Sequence, residues 1–252
     1  MNLIQIFPQR VFVICLTAIA FCTNGGSRSQ AQGEPALNET PALKDLVERQ
    51  IEGWTIVLDP EVLNEEHREV GEAALVALAN HLQRIRYILP KEKVQELQKL
   101  RIWVDWDHPL GNMQYHPSRG WLVRNGHDPR LEKHVHVPRA KALLSPSQWA
   151  KHPYVVLHEL AHAYHDQVLG FDQSEIVQVF DQAKAAGIYE RVKSHTGRRV
   201  KHYALTNHKE YFAESTEAYL GVNDFYPFVR AELEEHDPRM YALMQKIWGK
   251  VR

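Results

Sequence analysis

His158-Glu159-Leu160-Ala161-His162 decides the reading of this chain. On an α-helix, residues four apart lie on one face, so both imidazoles point the same way and can grip a single Zn²⁺. The glutamate between them then leans toward the remaining coordination position. This is the H-E-x-x-H arrangement of a zinc hydrolase, provided the segment is helical.

The flanking residues argue that it is. Tyr154-Val155-Val156-Leu157 precede the motif and Leu160, Ala161 and Ala163 are interleaved with it. Pro153 suits a first helical position and Gly170 a C-terminal stop, which predicts a buried helix of about 17 residues. With fifteen histidines in the chain, two at this spacing can arise by chance. Burying His, Glu and His together without a partner is costly, however, and a metal removes that cost.

A catalytic zinc takes three protein ligands and leaves one position for water. The longer H-E-x-x-H-x-x-G-x-x-H pattern does not supply the third, because His165 stands at the glycine position and Val168 at the last histidine. Downstream, Asn207 to Gly221 reads as a second helix that carries Glu210, Glu214 and Glu217 on one face. Two readings of Glu210 stand side by side. It completes the metal site, or it forms a capping box with Asn207. For Glu217 the plain alternative is a solvated helix face. His165 falls near the metal face and is expected either to meet substrate or to be partly exposed at the helix end.

With His158 to His162, Glu210-Tyr211-Phe212-Ala213-Glu214 and Tyr203 in hand, the chain resembles the gluzincin metallopeptidases, and most of all the anthrax lethal-factor-like catalytic domain. The resemblance covers residues 150 to 222. It implies a zincin-like fold, zinc as cofactor, Glu210 as third ligand, Glu214 as an outer carboxylate orienting a zinc histidine, and Tyr203 as hydroxyl donor to an oxyanion. Two neutral imidazoles and one carboxylate would leave zinc a net positive charge, and Glu159 would act as general base. His202 and His195 are reserve donors, with a solvated basic loop from Lys193 to His202 as the plain alternative.

The chain has 252 residues, 44% of them hydrophobic, with six Trp and ten Tyr, enough for one sizeable core. A formal charge of −1 with scattered Lys and Arg argues against nucleic acid as a partner and leaves a peptide or protein as the expected substrate. The oligomeric state is not readable.

At the N-terminus, Arg10 is followed by a 12-residue apolar run from Val11 to Cys22. It suits a signal peptide and falls short of the ~20 residues of a stable membrane span. Cleavage after Ala31 would remove residues 1–31, leaving 28 basic against 31 acidic residues and neither cysteine. The expected destination is secreted, periplasmic or extracellular. A lipid anchor on Cys22 is the alternative, disfavoured because Phe21 is too large for a cleavage site.

Residues 32–50 read as a polar linker with a short helix, and 51–252 as a single catalytic domain with a sheet-containing half (51–150) and a helical half (151–252). Strands are expected at Trp54–Leu58, Arg101–Asp105, Leu122–Val123 and His134–Val137, with a long helix from Glu65 to Leu89 ended by Pro90. Strands first and helices later indicate α+β.

Tyr115-His116-Pro117-Ser118 and Trp121 read mainly as turn packing, with the lining of a substrate cleft as the alternative. His134 and His136 share a strand face and could pair on a second metal, against the plainer reading of an exposed face. Two other functional classes remain. One is a catalytically idle zinc-fold binding module, against which the retained Glu159 speaks. The other is an aminopeptidase: Gly111-Asn112-Met113-Gln114-Tyr115 resembles the G-x-M-E-N signature faintly, with Gln114 replacing the acid that would grip an α-amine.

Overall fold

Five segments, β1 (Val47–Ile51), β2 (Trp54–Leu58), β3 (Arg101–Val104), β4 (Gln114–Tyr115) and β5 (His134–Val137), form one sheet in the order β1-β2-β3-β5-β4. β2, β3 and β5 run parallel, while β1 and β4 are antiparallel edges. This is a computed structural model that describes residues 44–251. The expected signal peptide with Cys15 and Cys22, and the start of the 32–50 linker, lie outside the described residues.

The short helix expected at the end of that linker is instead β1. Glu52 and Gly53 both adopt positive φ, 50° and 91°, which makes a two-residue hairpin between β1 and β2. Glu-Gly is not a usual spelling for such a turn, so the hairpin is not announced by its residues. The folded unit therefore starts before residue 51.

Alternation along the central strands assigns the two faces. Trp54, Ile56 and Leu58 of β2, Ile102 and Val104 of β3, and Val135 and Val137 of β5 point into the main core. Val57 and Trp103 point the other way, onto Leu122 and Leu131. The main face is covered by α1 (Arg68–Ile88), whose Ala74, Leu75, Leu78, Leu82 and Ile85 recur at helical spacing and are buried. Gly71 lets α1 approach the preceding 3-10 turn: a Cβ there would lie 1.8 Å from the Val62 carbonyl oxygen. α2 (Lys91–Leu97) follows Pro90 and leads into β3.

Leu122 and Val123, expected in a strand, lie in α3 (Arg119–Arg124), because the Ser118 hydroxyl accepts from the Trp121 N–H and starts a helical turn. α4 (Pro146–Lys151) precedes α5 (Val155–Tyr164), which carries the motif. Past Tyr164 the helix widens into one π turn (His165–Leu169) and stops at Gly170, φ 83°. Pro153 thus sits just outside the helix.

The second half is built from α6 (Ser174–Ala186), α7 (His208–Leu220), α8 (Arg230–His236) and α9 (Pro238–Trp248). A small hairpin, β6 (Val192–Lys193) with β7 (Arg199–Val200), interrupts what was expected to be wholly helical. α7 is buried at every position from Tyr211 to Leu220 and packs against α5, so two central helices face each other. The architecture is α+β, a sheet-bearing first half followed by a mostly helical second half. No helix among the described residues is long and apolar enough to cross a membrane.

Candidate metal centre

α5 presents His158 and His162 toward the first turn of α7. Asn207 starts that turn, its side-chain oxygen accepting from the N–H groups of Lys209 and Glu210 at 2.9 and 3.0 Å. Glu210 does not reach back to close a capping box. Its carboxylate turns to the histidines, with Oε2 3.3 Å from His158 Nε2 and 3.2 Å from His162 Nε2. The two Nε2 atoms are themselves 3.1 Å apart.

Those three edges have a simple meaning. Donors about 2.0–2.1 Å from a tetrahedral zinc are about 3.3 Å apart, so the triangle has the size of one face of a zinc site. Two ring nitrogens and a carboxylate oxygen are also the donor types zinc takes. The residues present fit the ion.

His158 is held from behind. Its Nδ1 donates to Glu217 Oε1 at 2.7 Å, and the same oxygen lies 2.9 Å from His152 Nε2. A proton fixed on Nδ1 leaves the Nε2 lone pair free for a metal. Glu217, for which a solvated face was the plain alternative, is fully buried and takes this bond, while Glu214, expected to orient a zinc histidine, has its nearer oxygen 3.8 Å from His158 Nδ1. Both carboxylates ride the same face of α7, and the rotation of α7 against α5 brings Glu217 into line with the ring.

The surroundings push the two acids in opposite directions. Burial works against ionising Glu217, but His152 and His158 more than offset it and hold its carboxyl below the usual range. Burial pushes Glu214 up to about 8, and one of its oxygens is buried without a partner. Glu210 is half-buried, and its bonds to His158 and His162 hold its carboxyl well below the usual carboxylate range.

Glu159 is fixed by a main-chain group. The Tyr115 N–H on edge strand β4 donates to Glu159 Oε2 at 2.9 Å, and the Tyr115 hydroxyl donates to Asp166 on the π turn at 2.6 Å. The edge strand is thereby tied twice to the motif helix, which turn packing alone would not have required. Burial raises the Glu159 pKa above the ordinary carboxylate value, with His158 and His162 opposing.

A cleft of about 580 Å³ opens over these groups, lined by His158, Glu159, His162 and Glu210. Tyr203 joins them from the 3-10 turn Tyr203–Thr206. Burial and the nearby Glu210 raise its pKa, so its hydroxyl keeps its proton at neutral pH. Neither reserve donor lines this cleft. His202 is buried, its Nδ1 accepting from the Ala204 N–H, and His195 sits on the exposed β6–β7 turn.

His165 is not the exposed helix end expected. It is wholly buried against Phe171 and Phe212, with both ring nitrogens unpartnered, because the π turn rotates it away from solvent. His134 and His136 do not pair either: the His134 ring stands edge-on to Trp103, while buried His136 turns to Asp105.

The role of the Tyr115 N–H was not legible in the sequence, because a backbone N–H has no spelling, and neither was that of His152, whose partner lies far along the chain.

No family model matches the chain, and no curated protein matches it. Among solved structures, it is similar to a Pro-Pro endopeptidase from Paenibacillus alvei, at 19% identity over 70% of this chain and 90% of that chain, with a TM-score of 0.39.

Proposed function

We propose that this chain is a secreted, zinc-dependent endopeptidase acting on peptide or protein substrates. The observation that carries the reading is the triangle of His158 Nε2, His162 Nε2 and Glu210 Oε2, with edges of 3.1 to 3.3 Å, beside a buried glutamate in the same cleft. The lethal-factor-like likeness rests on His158 to His162, Tyr203 and Glu210 to Glu214, and the secretion on the apolar run Val11 to Cys22.

Zinc held there supplies a Lewis acid for a carbonyl and acidifies a bound water. Glu159, with its pKa raised by burial, takes a proton from the attacking water and delivers it to the departing amine nitrogen. Tyr115 keeps that carboxylate aimed through its N–H. Tyr203 donates its hydroxyl to the oxygen that becomes negative as water adds. Glu217 keeps His158 in the tautomer the metal needs.

Gly111 to Tyr115 line the cleft, and Gln114 there is neutral. An amide does not pair with an α-ammonium as a carboxylate would, which favours cleavage within a chain over removal of the first residue.

The test is Glu159→Gln in the zinc-loaded protein, assayed on a mixed peptide library. Zinc content and melting should match wild type while cleavage falls by about 10² to 10⁴ from loss of the base alone. Cleavage at the wild-type rate would remove Glu159 from the chemistry.

A further inference from the structure

On the sheet face opposite α5, a second set of donors converges. His136 points away from the main core, since its neighbours Val135 and Val137 point into it. Its ring is fully buried. Nε2 lies 2.9 Å from Asp105 Oδ2 at the end of β3, and Nδ1 lies 3.0 Å from His116 Nε2 just past β4. His108, from the loop between β3 and β4, stands edge-on to His136 with ring centroids 4.8 Å apart. One ligand atom each from Asp105, His108 and His136 falls within 4.8 Å of the others.

We propose that Asp105, His108 and His136 form a second site for a divalent transition metal, distinct from the triangle on α5. Imidazole and carboxylate donors suit zinc and its neighbours cobalt and nickel. The surroundings are those of a built site. The other Asp105 oxygen accepts from Trp103 Nε1 at 3.1 Å, and His136 can donate its Nδ1–H to His116, so two ligands are oriented from behind. Without a metal, the same residues make a hydrogen-bonded chain from His116 through His136 to Asp105, in which His108 has no part. His108 therefore separates the two readings.

The site has a consequence for the cleft. His108 sits on the loop that continues into Gly111 to Gln114, which line the cleft, and into Tyr115, which holds Glu159. A metal joining His108 to β3 and β5 would pin that wall to the sheet.

The experiment loads the purified chain with Zn²⁺, desalts it and counts zinc per chain by mass spectrometry. Two equivalents are expected in wild type, one in His108→Ala, one in His162→Ala and none in the double variant. His108 is a half-buried loop residue, so its replacement should leave the fold intact, with His136→Gln as a second variant. One equivalent in wild type, unchanged in His108→Ala and lost in His162→Ala, overturns the second site and leaves the proposed function standing. Two equivalents persisting in His108→Ala and His136→Gln overturn it as well. One equivalent lost in His108→Ala and kept in His162→Ala supports this site and removes the metal from the proposed catalytic one.

Discussion

Glu217 accepts the Nδ1 proton of His158 across 2.7 Å, while Glu214, one turn earlier on the same helix, stays at 3.8 Å. His158 is thus oriented by the acid farther along the helix. Outer carboxylates of this kind typically change metal affinity by about 10- to 100-fold. Glu217→Gln should weaken zinc binding by that amount in competition with a chelator. Glu214→Gln should stay within a few-fold of wild type, because that carboxylate lies 3.8 Å from His158 Nδ1, beyond hydrogen-bond reach. The reverse order would return the role to Glu214.

Tyr203 lines the cleft with its hydroxyl protonated, and Tyr203→Phe removes that group with little change in volume. Loss of one oxyanion donor costs about 10² to 10³ in kcat. KM and zinc content should hold, since the bond is made mainly in the transition state. An unchanged kcat on a quenched peptide clears Tyr203 of the role.

His165 is buried among aromatic rings, and burial, with His208 and His162, lowers its pKa to about 3. An unfolded histidine titrates near 6.5. The folded state therefore refuses a proton the unfolded state accepts. Stability from this group is intact above about pH 6.5 and declines as pH falls toward 3, by up to about 1.4 kcal/mol per pH unit. In the zinc-free chain, His165→Leu should flatten the dependence of unfolding free energy on pH by about one proton between pH 6 and 4. Equal slopes for the two proteins would contradict the buried, neutral ring.

How far the molecule could be read from its sequence follows the range of each interaction. His158, Glu159 and His162 were legible because one helix sets their geometry, Trp54 to Leu58 because it is a short, mainly apolar run, and His134 to Val137 because its valines alternate with histidines. The choice between Glu214 and Glu217 was not, since it depends on the rotation of α7 against α5. Tyr115 acts through its backbone, and β1 depends on a turn of unusual spelling. His165 and Val123 obey local patterns that a π turn and a Ser118 cap override. Asp105, His108 and His136 meet only because β3 and β5 pair side by side.

The most direct measurement is an anomalous-difference map at the zinc edge from crystals of the zinc-loaded protein. A peak within bonding distance of His158 Nε2, His162 Nε2 and Glu210 is the predicted result. No peak at that triangle, in crystals where those side chains are ordered, would contradict the account.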